Sequence, residues 1–124
     1  MNVLTVIQAR RGSSRLPDKV SMDLCGATLL ERMVERVMRA KQVGTVVIAT
    51  TTDPYDNPIQ DICERRGWNC FRGHPTDLLD RHYQAAAAFN ADSVVKIPSD
   101  VPLIDPAVID LVLTEALSNP DRYD

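Results

Sequence analysis

Short β-rich runs at residues 3–8, 45–50 and 93–97 alternate with longer stretches of helical periodicity, and this alternation restricts the fold more than any other feature of the chain. A weaker run at 69–72 fits a fourth strand. The runs are nearly continuous in apolar residues, as strands covered on both faces require. Helix ends are marked as clearly as helix interiors. Thr28-Leu29-Leu30-Glu31 fits a capping box, after which Leu30, Met33, Val34, Val37 and Met38 repeat at helical spacing, with Glu31, Arg32, Glu35, Arg36 and Arg39 pointing away. A second helix starts near Asn57-Pro58 and ends before Gly67. The third runs from about Asp77 through the alanines, with Leu79, Tyr83, Ala86 and Ala87 inward. In the fourth, Asp105 caps and Pro106 starts a helix whose Ile109, Val112, Leu113, Ala116 and Leu117 form the inner stripe. The order β-α-β-α-β-α-β-α predicts one α/β domain over residues 1–124, a parallel sheet with right-handed crossovers and helices on both faces. Such sheets bind ligands at the carboxyl ends of their strands, near the switch in strand order, so the loops after Gln8, Thr50, Arg72 and Ile97 matter most.

Composition narrows the function. The 124 residues, 44% hydrophobic, suffice for one core without disulfides or a metal. Cys25, Cys63 and Cys70 are an odd count with no CxxC, read as reduced thiols of a cytoplasmic protein, and His74 and His82 do not complete a zinc set. No apolar run approaches the roughly 18 residues of a membrane span. The N-terminus lacks the basic lead and cleavage site of a signal peptide and reads as a strand. A net charge of −3 argues against a general nucleic-acid or membrane-surface binder. Yet residues 10–19 hold four cations and one anion, on a chain otherwise rich in carboxylates.

That basic segment, Arg10-Arg11-Gly12-Ser13-Ser14-Arg15-Leu16-Pro17-Asp18-Lys19, follows the first strand. Gly12, Ser13 and Ser14 let backbone approach an anion and offer donors, while Arg10, Arg15 and Lys19 neutralise charge, as a polyphosphate needs. It is neither a Walker A loop, which needs glycine before the lysine, nor a dinucleotide fingerprint, since Gly12 stands alone. After the last strand, Asp100 is placed where a carboxylate holds Mg²⁺ against phosphate oxygens, while Asp105 reads as a helix cap. Thr50 and its neighbours offer groups for a base or ribose. Arg81 is placed either to reach the site or to pair with Asp77 at i, i+4.

Taken together, Ala9-Arg10-x-Gly12-Ser13-x-Arg15-Leu16-Pro17-x-Lys19, Ala49-Thr50-Thr51, Arg72-Gly73, Asp77-x-Leu79-Asp80-Arg81 and Asp100-x-Pro102-Leu103-Ile104-Asp105 resemble the acylneuraminate cytidylyltransferases. The likeness is nearest to the branch of spore coat polysaccharide biosynthesis proteins and more distant to the 3-deoxy-manno-octulosonate cytidylyltransferases. It implies a Rossmann-like nucleotidyltransferase fold and transfer of CMP from CTP to a sugar or sugar acid, with Mg²⁺ and release of pyrophosphate. By the same resemblance Arg10, Gly12, Ser13, Arg15 and Lys19 grip the triphosphate, with Arg15 and Lys19 catalytic. The Thr50 loop and the loop from Arg72 to Arg81 approach the nucleoside, with Thr50 and Arg81 binding it, and Asp100 binds metal. Asp18 stands where many relatives carry glycine and places an anion beside the phosphate grip. Relatives continue into a further strand and an Asp-x-Glu motif, so the chain reads as a truncated N-terminal portion that binds CTP with little turnover. The alternative is a non-catalytic nucleotide-binding or assembly module. A phospho-acceptor receiver domain is excluded because it wants acidic residues where Arg10 and Arg11 stand. An uncovered sheet edge predicts self-association, hence a homo-oligomer.

Overall fold

In a computed structural model, which describes residues 2–12, 18–98 and 104–119, four strands form the expected parallel sheet. These are β1 (Val3–Gln8), β4 (Thr45–Thr51), β5 (Asn69–Gly73) and β6 (Ser93–Pro98), in the spatial order β5-β4-β1-β6. Register pairs such as Val6↔Val47, Val6↔Lys96 and Ile48↔Cys70 align them. Strand order therefore reverses between β1 and β6, beside the basic segment. A hairpin of β2 (Asp23–Leu24) and β3 (Ala27–Thr28) precedes the first helix, an element too short to leave a periodic signal in the sequence.

Helices α1 (Leu29–Val37), α2 (Asn57–Arg66) and α4 (Pro106–Ser118) cover one face, and α3 (Leu78–Ala88) covers the other. Strand alternation divides the core in the same way. Ile7, Val46 and Ile48 join Leu30, Met33, Val34, Ile59, Ile109 and Leu113 in the larger cluster. Leu4, Val6, Val47 and Ala49 meet Ala85 of α3 in the smaller one. The small Ala85 lets α3 lie close against the sheet.

Several features depart from the sequence reading. The first is α3, which turns inward on Arg81 and Ala85, leaving Leu79 82% and Tyr83 68% exposed and Ala87 at the surface. Its phase is fixed by the anchored Arg81 side chain rather than by its apolar residues. In α4, Ile109 and Leu113 are buried while Val112 faces out. Met38 caps α1 at the surface instead of extending its inner stripe. Lastly, β6 is covered on one face only, because α3 lies over β5, β4 and β1, and Val94, Lys96 and Pro98 are exposed.

Glu31, read as outward-facing, is 4% exposed. Its carboxylate completes the capping box with the Thr28 N–H and hydroxyl, then accepts from Arg65 at 3.2 Å and from Arg66 Nε at 2.7 Å. One side chain thus caps α1 and ties it to the last turn of α2. Burial alone would push the Glu31 pKa up, but the Arg66 hydrogen bond and the Thr28 donors outweigh it and hold it below 4.5, the ordinary value. A depressed folded pKa gives stability that is present above the unfolded value and lost as pH falls through the folded one. In thermal melts from pH 7 to pH 3, the advantage of the wild type over Glu31→Gln is therefore expected to shrink below about pH 4.5. A constant gap would show that the charge contributes nothing.

Candidate functional site

The carboxyl edge of the sheet is formed by the ends of β1, β4, β5 and β6. The ladders run one residue further there, with Ala9 N donating to Ala49 O and Thr52 N to Gly73 O, both at 3.0 Å. Backbone leaves this edge in a fixed direction. Of the expected site residues, Arg10, Gly12, Lys19, Thr50 and Arg81 lie within the described structure, whereas Ser13, Arg15 and Asp100 lie outside the described residues.

Two neighbouring arginines divide the work after β1. Arg11 is fully engaged: its Nε and Nη2 hold both oxygens of Asp18 at 2.8 and 3.0 Å, and Nη1 donates to Tyr55 O at 2.8 Å. Its guanidinium stacks on the Tyr55 ring, 4.2 Å from the centroid, and its N–H donates to Asp56 at 2.8 Å. Asp18 N also donates to Arg11 O at 2.7 Å. Residues 11 and 18 therefore form a clasp that holds the chain just past β1 to the chain just before the 3-10 turn at Lys19–Ser21. The Arg11 guanidinium, with Ser21, keeps the Asp18 carboxyl below the usual carboxylate range despite partial burial. The anion expected beside the phosphate grip is thus neutralised by Arg11. Asp18 also adopts φ 59°, in the left-handed region that favours glycine, and the clasp holds it there.

Arg10 and Lys19 contrast with Arg11. Arg10 is exposed and Lys19, at the start of a single 3-10 turn, is half-buried. Neither side chain makes a hydrogen bond or ion pair with another described residue, and Lys19 O accepts from Met22 N at 3.2 Å. A side chain at Gly12 would meet nothing within 4 Å, so the missing Cβ leaves open space beside these cations.

Arg81 is the least expected member of the edge. It is wholly buried, and its Nε and Nη2 donate to His74 O at 3.1 and 2.8 Å, with Nη2 also reaching Pro75 O at 3.1 Å. Nη1 has no partner among the described residues. Of the two readings open in the sequence, pairing with Asp77 is overturned: Asp77 caps α3 by accepting from Asp80 N at 3.0 Å. Room for the arginine stem comes from Gly73, where a Cβ would lie 2.7 Å from Arg81 Cγ. His74 Nδ1 accepts from Thr76 N at 3.1 Å and Asp77 N at 2.9 Å, which wraps the loop around the guanidinium. Burial, then the like charge of Arg10, pull the Arg81 pKa down, partly offset by Asp56. A buried cation with no carboxylate bonded to it is costly, and an incoming anion or acceptor relieves that cost.

Thr50 is also wholly buried, its hydroxyl unpartnered among the described residues. It shares a strand face with Val46 and Ile48, so it points to the α1–α2 side, whereas Arg81 belongs to the α3 layer. The two expected nucleoside residues thus lie on opposite faces of the sheet. On the α3 side, Arg81 is joined by Gln8, whose Oε1 is buried without a partner among the described residues and which the sequence marks only as a strand end. A polar residue closing an apolar strand was the available signal. Also missed were Tyr55 and Asp56, which receive Arg11, with Asp56 further hydrogen-bonded to the Thr51 hydroxyl. Arg72, in a loop expected to approach the nucleoside, is instead a brace: it bonds Thr51 O, Asp53 O, Asn57 and Gln60 at 2.7 to 2.8 Å.

Among the described residues no cluster of three metal-ligating side chains occurs. Carboxylates at this edge are engaged, Asp53 with Tyr55 N and Asp56 with Arg11 N and Thr51. No described helix is long and apolar enough to cross a membrane.

Comparison with known proteins gives a consistent result. The family profile described as cytidylyltransferase matches residues 4–124. The spore coat polysaccharide biosynthesis protein SpsF of Bacillus subtilis is 33% identical over 98% of this chain and 52% of its own length. A cytidylyltransferase from Leptospira borgpetersenii superposes with a TM-score of 0.95 at 37% identity, covering 100% of this chain and 52% of that one. A CMP:2-keto-3-deoxy-manno-octonic acid synthetase, solved in complex with CTP, superposes with a TM-score of 0.86 at 26% identity, covering 98% and 49%. The chain spans about half the length of the curated relatives it matches.

Proposed function

Since the chain belongs to the cytidylyltransferase family, we propose that its carboxyl edge binds CTP and serves transfer of CMP to a sugar or sugar acid, with release of pyrophosphate, in surface or spore coat polysaccharide synthesis. One observation carries the reading: Arg10, Lys19 and the buried Arg81 lie in the segments that follow β1 and β5 with no carboxylate bonded to their side chains among the described residues, while the neighbouring Arg11 is fully neutralised. Uncompensated cations beside a loop with open backbone fit a polyphosphate. The names of the relatives support the cytidylyl group and the sugar acceptor.

In this mechanism the acceptor hydroxyl forms a bond to the α-phosphorus as the bond to the β-phosphate oxygen breaks, and the hydroxyl proton is given up. The transition state needs charge neutralisation and in-line positioning more than a nucleophilic side chain. Arg10, Ser13, Arg15 and Lys19 neutralise the triphosphate, and the Gly12 backbone allows its approach. Arg81 and Thr50 approach the nucleoside from the two faces of the sheet. Mg²⁺, an ion held by one or two carboxylates together with phosphate oxygens, would draw charge from the phosphates with Asp100 as its ligand. The reading places the reaction in the cytoplasm, where nucleoside triphosphates are made.

Calorimetric titration with each nucleoside triphosphate in the presence of Mg²⁺ tests the proposal. CTP is expected to bind in preference to ATP, GTP and UTP. Arg15→Ala and Lys19→Ala are each expected to weaken it by about tenfold or more, as loss of a charge-assisted hydrogen bond implies. Absence of nucleotide binding, or unchanged affinity in both variants, would overturn the phosphate grip.

A further inference from the structure

A cleft of about 490 Å³ opens at the amino edge of the sheet, at the other end of β4 from the proposed transfer site. Seven residues of strand, roughly 20 Å, separate the two. Two helices end here: Met38 caps α1, Gly67 caps α2, and both line the cleft. Past Gly67 the chain runs along the cleft through Trp68 and Asn69 into β5. Lys41 comes from the segment that joins α1 to β4, and Thr45 opens that strand. Val43 and Val46, both buried, supply apolar lining. A Cβ at Gly67 would meet nothing within 4 Å, so the missing side chain leaves the space open.

The lining is held in place by the fold. Trp68 packs on the larger core cluster, and its N–H donates to Cys63 O at 2.9 Å. The Arg66 guanidinium lies over its ring, 5.3 Å from the centroid, and is itself bonded to the buried Glu31. Arg66 does not line the cleft, so it occupies ring surface that the cleft does not use. Asn69 Nδ2 donates to Val46 O at 3.1 Å, which fixes the amide and leaves Oδ1 as an acceptor. Lys41 N and Gln42 N donate to Asp110 at 2.7 to 2.9 Å, which clamps their segment to α4. Against this fixed frame, Lys41 Nζ, the Thr45 hydroxyl and the Trp68 indole N–H make no hydrogen bond or ion pair with a described residue.

The chemistry of the lining selects the ligand. Among the described residues no carboxylate lines the cleft, and Lys41 brings a positive charge, so a cation is not favoured. A polyphosphate needs several cations, and the carbonyl ends of two helices oppose the build-up of negative charge. One negative charge, seated at Lys41, satisfies both conditions. A wholly apolar ligand would cover Lys41, Thr45 and Asn69 without pairing them, at a desolvation cost. The indole of Trp68, between buried valines and open space, suits a flat ring. We propose that this cleft is a binding site for a small planar aromatic carboxylate, its ring seated on Trp68 and its carboxylate on Lys41 Nζ. The site uses none of the residues of the proposed transfer reaction and stands apart from it.

The test is a titration of isotope-labelled protein with naphthoate, followed in amide NMR spectra. Trp68 is the single tryptophan, so its indole N–H gives one resonance that reports the cleft directly. That resonance and the amides of Gly44 and Gly67 are expected to shift and saturate together, while Gly12 and Thr52 stay in place. Neutral naphthamide is expected to bind about fivefold more weakly, and Lys41→Ala to bring naphthoate down to the affinity of the amide, the value of one exposed ion pair. CTP with Mg²⁺ is expected to leave the naphthoate shifts unchanged. No saturable shift, shifts centred on the exposed Leu111 and Val112 of α4, equal affinity for the amide, unchanged affinity in Lys41→Ala, or displacement by CTP would each overturn the proposal.

Discussion

Arg81→Met is expected to remain folded while its CTP affinity falls by about tenfold to a hundredfold, the value of one or two hydrogen bonds from a charged donor. The two effects separate for a physical reason. Exchanging a buried, carboxylate-free guanidinium for an apolar side chain of similar reach removes a desolvated charge, which is often neutral or favourable. Against this, His74 O and Pro75 O lose their donors, at about 1 to 3 kcal/mol for an unsatisfied buried group. Net stability should stay within about 2 kcal/mol of wild type by urea denaturation. Ligand binding has no such compensation, because the open Nη1 is lost. A folded Arg81→Met protein with unchanged affinity by calorimetry would restrict Arg81 to shaping its loop.

Gly44→Ala is expected to be far more damaging to the fold. Gly44 stands just before β4 with φ 62°, and a Cβ there would lie 2.3 Å from Val3 O and 3.1 Å from Val3 C. Both are backbone atoms of β1, the central strand, so no side chain can rotate away. The Thr5 hydroxyl, bonded to Val43 O at 2.8 Å, fixes the same segment from below. Relief requires moving the entry of β4 off β1, and left-handed strain adds to the clash. A loss on the order of 4 kcal/mol, lowering Tm by roughly 10 to 20 °C, is expected in thermal melts. A shift under a few degrees would mean that the loop before β4 relaxes freely.

The sequence revealed the fold through signals that are local and redundant. Thr28 and Glu31 announced α1, Asp105 and Pro106 announced α4, and Gly67 ended α2, each through a cap whose geometry the structure retains. Apolar periodicity was less decisive, because a helix that packs on a sheet through a few small residues can leave large ones outside. In α3 the stripe of Leu79 and Tyr83 competed with Arg81 and Ala85, and the anchored Arg81 set the phase, with the small Ala85 allowing the helix to lie close. Charge misled for the same reason. Glu31 reads as solvated until Arg65 and Arg66, more than thirty residues later, come to meet it. At the site, the position and sign of the basic segment were legible. That Arg11 would be tied up within the fold was not, since that depended on Asp18, Tyr55 and Asp56 closing around it.

The Arg11–Asp18 clasp also makes the positions of β1 and α1 independent of the chain between its two ends. Because the main-chain bond and the bidentate pair fix both ends, residues added between them leave β1 and α1 where they are. The clasp is therefore a splice point, at which the scaffold would accept a different segment between residues 11 and 18 without redesign of the sheet.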